Sequence, residues 1–289
     1  MDPQTSVVVL GLASAGTWGA ADFAGGLAGR RAPLFGVIML SQLAGGLLAL
    51  GLALVRGEPF PVPRDLAIAV AAGVVGGIGI WSLYRGLSTG RMGVVAPISG
   101  VLSAVVPVSA GILLQGLPGP AVLAGIGLAI VAVVLVSASP GGSGHAVIGR
   151  TAGIPSDVAI ALVAGTSLGL LNLIVSRLTP GSVFAPLVLV RLTEGAFIGL
   201  VVLAARRAWR VPRAVWPLSC GAGALDMAGN GFFILAAQAG RLDIAAVLSS
   251  LYPVTTLVLA VIVLKERIVG LHAIGVAAAL IAIVLVRMG

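Results

Sequence analysis

Long apolar runs follow one another through this chain, and most charged residues fall between them. Of its 289 residues, 59% are hydrophobic and 9% charged, where a soluble domain carries about 25% charged residues. A surface of that kind is not soluble in water, so the bilayer is its solvent. Every ionisable side chain held inside an apolar run then becomes a candidate for function, because keeping it there costs free energy.

A spanning helix needs about 20 mostly apolar residues. Runs of that length, separated by Gly, Pro and Arg, predict ten helices over 6–28, 33–55, 66–88, 93–114, 119–138, 156–178, 183–205, 214–238, 243–264 and 269–287. Membrane strands are a poor alternative, since barrel strands alternate over roughly ten residues and these runs are continuously apolar. The opening Met1-Asp2-Pro3-Gln4 lacks the basic start of a signal peptide, so the first run reads as a helix of the protein. The lone cysteine, Cys220, leaves no intrachain disulfide to form. The net charge of +8 comes from arginines at the ends of the apolar runs, which suits lipid headgroups and insertion topology rather than nucleic acid.

The one long polar stretch, Ser139 to Arg150, divides the chain. The division predicts a first five-helix repeat over 1–138, a linker over 139–155 and a second repeat over 156–289. A shift of 150 positions sets 81–137 on 231–287, with identities at Gly90/Gly240, Arg91/Arg241, Ser99/Ser249 and Gly125/Gly275. The same shift sets Asp22 against Asn172. Five helices per repeat make the second copy enter the membrane from the opposite side. The expected fold is therefore an all-α polytopic membrane protein of ten transmembrane helices in two inverted repeats, the architecture of secondary transporters with a site between the repeats.

Several polar residues fall inside the runs. Asp22 follows Trp18 by one turn on the same face of helix 1; it fits a cavity carboxylate that binds a cation or carries a proton, and equally an interfacial acid paired with Arg30 or Arg31. Asp226 and Asn230 share a face of helix 8, which makes Asp226 the leading candidate for a proton or substrate carboxylate. Arg191 and Glu194 stand three apart in helix 7, as an internal salt bridge or as a pair that Glu194 leaves during a proton cycle. Asn172 and Gln238 are amides of the kind that join helices. Trp81, Tyr84 and Arg85 could stack a substrate or anchor helix 3 at the interface. In helix 9, Tyr252-Pro253 marks a kink that frees a carbonyl; Pro97 and Pro107 could do the same in helix 4. Gly25/Gly29 and Gly73/Gly77 have the spacing of close helix contacts. No nucleotide loop, metal cluster or nucleophile motif is present, so neither an enzyme nor a cofactor or metal is expected.

Trp18-Gly19-Ala20-Ala21-Asp22-Phe23, the segment from Ala245 to Pro253-Val254, Leu264-Lys265-Glu266 and the Gly270 to Gly275 run together resemble the EamA type of the drug/metabolite transporter superfamily, over almost the whole chain. Arg191 also falls where such repeats often place an arginine. The first repeat departs from the pattern, with Gln115-Gly116-Leu117-Pro118 where a Gly-Glu is expected. The resemblance implies a secondary transporter, an exporter of amino-acid-like or amphipathic metabolites working by alternating access. It implies a cavity lined by helices 1, 3, 4, 6, 8 and 9, which brings Trp18, Asp22, Trp81, Tyr84, Asn172, Asp226, Asn230 and Tyr252 near substrate. Asp226, Asp22 and Glu194 are the candidate proton carriers, and a passive channel or a membrane subunit is the rival reading. The partners implied are a small-molecule substrate and the lipid bilayer, with a monomer or homodimer in the cell membrane. The resemblance places both termini in the cytoplasm, whereas the arginine bias favours the opposite orientation.

Overall fold

The computed structural model describes residues 2–88, 92–137, 156–265 and 270–288. Its helices are α1 (Pro3–Gly29), α2 (Leu34–Arg56), α3 (Pro63–Ser88), α4 (Met92–Gln115), α5 (Pro120–Ser137), α6 (Ser156–Val175), α7 (Phe184–Ala204), α8 (Trp216–Ala239), α9 (Leu242–Ser249), α10 (Tyr252–Leu264) and α11 (Gly270–Met288). Helices are the open-ended elements that satisfy their own backbone in lipid. Among the described residues nine stretches are long and apolar enough to cross a membrane, with α9 and α10 forming one of them. The shorter apolar α5 makes ten. The chain is a multi-pass membrane protein of two inverted five-helix repeats. The polar stretch between them, and Gly90-Arg91, lie outside the described residues.

The ends of the helices follow local chemistry. The Asp2 side chain caps α1 by accepting from Thr5 N at 2.7 Å and Thr5 Oγ1 at 2.7 Å. These bonds hold the Asp2 carboxyl below its ordinary range. Gly57 stops α2 in the left-handed region at φ 63°, where glycine is at no disadvantage. Glu58, next in the chain, does the work of a cap for a different helix. Its Oε2 accepts from the backbone N–H groups of Val183, Phe184 and Ala185 at 3.2, 2.8 and 2.9 Å, satisfying the open start of α7.

The single span expected over 243–264 is two helices. The chain breaks at Ser250-Leu251 and restarts with Pro253 in the first turn of α10, where a missing N–H costs nothing. By contrast α4 runs unbroken through Pro107.

Packing repeats the two-fold relation. α1 lies on α8 as α3 lies on α6; α4 lies on α6 as α9 and α10 lie on α1; α2 lies on α8 as α3 lies on α7. The pairs α2–α7 and α5–α11 map onto themselves. Individual residues obey the same exchange. A Cβ at Gly19 would strike the Tyr252 carbonyl, and one at Gly169 the Leu102 carbonyl. A Cβ at Gly229 would strike the Trp18 ring, and one at Gly79 the Leu168 side chain. Of the glycine pairs read from the sequence, Gly73 and Gly77 form a close contact, against Thr193 and Phe197 of α7.

The two ends of the bundle differ. The end that holds both termini is tied by side-chain bonds between helices. Asp65 accepts from Thr179 N and Thr179 Oγ1. Arg241 Nη2 donates to the Gly116 carbonyl at 2.6 Å and bridges Asp243 Oδ2 at 2.7 Å, while Leu242 N donates to Gln115 Oε1 at 2.8 Å. The opposite, far end carries Arg30, Arg31, Arg206, Arg207, Arg210, Arg213 and Lys265.

Candidate functional site

A charged cluster crosses the interface between the repeats. Arg191 comes from α7, about two turns from its start, and Glu194 follows it by nearly one turn on the same face. Their pairing, expected from spacing, is present at 3.2 Å. The sequence did not reveal its partners. Gln42 on α2 receives Arg191 Nη1 on its Oε1 at 2.8 Å and donates Nε2 to Glu194 Oε2 at 2.8 Å. Asp226 on α8 meets Arg191 Nη2 at 2.5 Å. One guanidinium therefore holds two carboxylates and an amide from three helices.

The two carboxylates are not equivalent. The Glu194 side chain is 3% exposed and that of Asp226 is 39% exposed. Glu194 fits its place because α3 presents Gly76, whose Cβ would collide with Glu194 Oε1. Asn230 turns back on its own helix and donates to the Asp226 carbonyl at 2.8 Å.

Asp22 of α1 is exposed although it faces the bundle. Its charge is felt by Tyr252 of α10, and it feels that of Asp226 of α8, so these three side chains are near neighbours. Among the described residues no ion pair joins it to Arg30 or Arg31. Beside it, Trp18 stacks on Phe233 with centroids 5.8 Å apart and meets Tyr252 edge-on at 6.4 Å. The Tyr252 hydroxyl lies against Ser103 and Gly100 of α4. The helix break positions this ring: Thr256 Oγ1 donates to the carbonyls of both Tyr252 and Gly19, at 3.2 and 3.0 Å. The residues gathered here are thus acidic and aromatic.

Of the residues singled out from sequence, Trp18, Asp22, Glu194, Asp226, Asn230 and Tyr252 converge here. Asn172 and Trp81 do not. The two-fold sends Asn172 to the opposite end from Asp22, into the last turn of α6, where its Oδ1 is buried without a hydrogen-bond partner among the described residues. Trp81 packs with Ile38, Ile198 and Phe197 in a separate apolar cluster and lies 5.5 Å beneath the Arg85 guanidinium. The Tyr84 and Pro97 side chains fall outside the described ones. Gln238 donates to the Thr179 carbonyl at 3.3 Å, a helix-joining role.

The two-fold also shows what is particular about the pocket. Positions 150 residues away from Trp18, Asp226, Asn230 and Tyr252 hold Leu168, Gly76, Ile80 and Leu102. The scaffold is symmetric, while the charge and the aromatic rings belong to one side of it.

The profile of the EamA-like transporter family matches residues 5–138 and 156–288, and the chain belongs to that family. It is accordingly a membrane transporter of small molecules. Among solved structures, one described as "Crystal structure of protein" has a TM-score of 0.79 and 17% identity, covering 97% of this chain and 96% of its own; that likeness concerns the fold. A comparison with curated proteins gave no match.

Proposed function

We propose that the protein is a secondary transporter of small amphipathic metabolites, working as an exporter by alternating access, with protons exchanged at Asp226 and Asp22. The observation that carries this reading is the exposure of two carboxylates inside a bundle whose terminal end is tied by hydrogen bonds between helices. A carboxylate at mid-membrane costs about 2.5–3.5 kcal/mol, and a water-filled pocket open on one side relieves that cost. In the other state the terminal ties release and the far end closes over the same residues.

Arg191, Glu194 and Gln42 form the fixed part of the site. Asp226 is the part that can change partner, because it alone of the two acids on Arg191 is open to water. A proton or a substrate cation on Asp226 would release Arg191 to Glu194 and uncouple α7 from α8, which links loading to helix movement. The protein resides in the cell membrane with both termini cytoplasmic, as the resemblance implies.

The test is counterflow in proteoliposomes. Preloading with unlabelled solute should accelerate uptake of the labelled solute, and Asp226→Asn should abolish the pH dependence of net transport. Uptake indifferent to preloading would identify a passive pore instead.

A further inference from the structure

We infer that the pocket selects organic cations, amines carrying a flat apolar group, over the corresponding amino acids. The inference rests on the transporter reading and narrows its range of amphipathic solutes.

The charge inventory of the site carries it. Three acids, Asp22, Asp226 and Glu194, stand against one cation, Arg191, which pairs with Asp226 and Glu194 and leaves Asp22 without an ion pair among the described residues. Glu194 and Gln42 occupy Arg191 Nη1, and Asp226 occupies Nη2. Arg191 is 5% exposed, so a substrate carboxylate finds no open guanidinium there. Asp22 is exposed and Asp226 is 39% exposed, and among the described residues Arg191 pairs with Asp226 while no ion pair reaches Asp22. Arg30 and Arg31 stand at the mouth, about two turns beyond Asp22. The accessible surface of the pocket is therefore anionic at its centre, and an entering carboxylate would meet like charge.

The aromatic residues complete the recognition. Trp18 precedes Asp22 by one turn on the same face. Its ring is held by Phe233 on one side and Tyr252 at its edge. An ammonium at Asp22 places the flat part of its molecule on that indole, where cation and ring attract each other.

The probes are tryptamine, tryptophan and tryptophol, which share one ring system and carry a cation, a zwitterion and no charge. Isothermal titration on the full chain in phosphatidylcholine nanodiscs should show tryptamine binding at least tenfold tighter than either of the others. Asp22→Asn should remove most of that preference without lowering the melting temperature, since among the described residues Asp22 makes no hydrogen bond or ion pair. Asp226→Asn should narrow the gap between tryptamine and tryptophan, because it removes one of the two exposed negative charges that repel a carboxylate. Should that variant fail to fold, the ratio on the parent and on Asp22→Asn decides. Tryptophan binding as tightly as tryptamine, or an unchanged ratio in Asp22→Asn, overturns the inference. Counterflow of other solutes with no tryptamine binding also overturns it, leaving the transporter reading intact. Tryptamine bound with the expected preference but never exchanged upholds the pocket's selectivity and removes the transporter reading instead.

Discussion

Asp226 on α8 reaches Arg191 on α7 at 2.5 Å while 39% of its side chain stays exposed. The same guanidinium is almost completely enclosed, so the pair is buried from one partner's side and exposed from the other's. A buried ion pair is costly to break from the enclosed side, since an uncompensated charge is left behind.

Arg191→Met should therefore lower stability by about 3–5 kcal/mol, because Glu194 keeps its buried carboxylate with Gln42 as its one remaining donor. Thermal unfolding of the purified protein measures this. Adding Glu194→Gln to Arg191→Met should restore much of the loss. A single variant as stable as the parent would show that Arg191 is not the keystone of the cluster.

Asp226→Asn should cost far less, because its solvent-exposed carboxylate contributes less to holding the fold. Its effect should fall on transport: a flat rate across pH in place of a pH-dependent one, with an unchanged melting temperature. A parallel drop in stability and rate would assign Asp226 to structure.

The glycine pair Gly229 and Gly79 separates packing from function. Gly229→Ala pushes on Trp18 and Gly79→Ala on Leu168, and overpacking of this kind costs about 1–3 kcal/mol. Both variants should be destabilised to a similar extent, and Gly229→Ala alone should weaken substrate binding. Equal binding losses would mean that Trp18 has no privileged part in the site.

Arg241 ties the start of α9 to the end of α4 through the Gly116 carbonyl and Asp243. Hydrogen bonds of this type contribute about 0.5–1.5 kcal/mol each, enough to bias an equilibrium between two open states. In a Cys220→Ala background, a cysteine at Ser176, in the small recess of the terminal end lined also by Gln115 and Leu242, should react several-fold faster with a water-soluble thiol reagent after Arg241→Gln. An unchanged rate would show that the ties do not hold this end shut.

A reporter fused to the C-terminus fixes the orientation. Activity characteristic of the cytoplasm supports the proposed topology, and the far end then faces outward. Activity outside the cell follows the arginines of the far end and places that end in the cytoplasm.

How much of this was legible in the sequence follows from the range of each interaction. Ten apolar runs, an offset of 150 and an odd helix count were enough for the inverted fold, because each is local or periodic. Asp22, Asp226, Tyr252 and Trp18 stood out because a polar or aromatic residue in an apolar run has few inexpensive explanations. Gln42 gave the same signal, an amide in the middle of a leucine-rich run, but its partners Arg191 and Glu194 lie in the other repeat and only the fold brings them to it. That Arg191 serves Asp226 as well as Glu194 could not be read, since the first pairing is set by how the consecutive helices α7 and α8 turn their faces toward each other. Asn172 and Trp81 were assigned to the cavity by helix number, and helix number does not specify depth or face. Tyr252-Pro253 predicts a kink; the interruption is complete, whereas the symmetric approach of Gly169 to the Leu102 carbonyl leaves α4 continuous.

Gly125 on α5 lies against Ala282 and Val286 of α11, and Gly275 on α11 lies against Leu135 and Val136 of α5. One seam is thus built twice from the two halves of a single chain, each half supplying the notch for the other's ridge. Mutational tolerance along α5 should therefore be echoed along α11 at the same offset. A substitution accepted at one notch should be accepted at its twin, whereas around Trp18 and Asp226, where the halves have diverged, no such echo is expected.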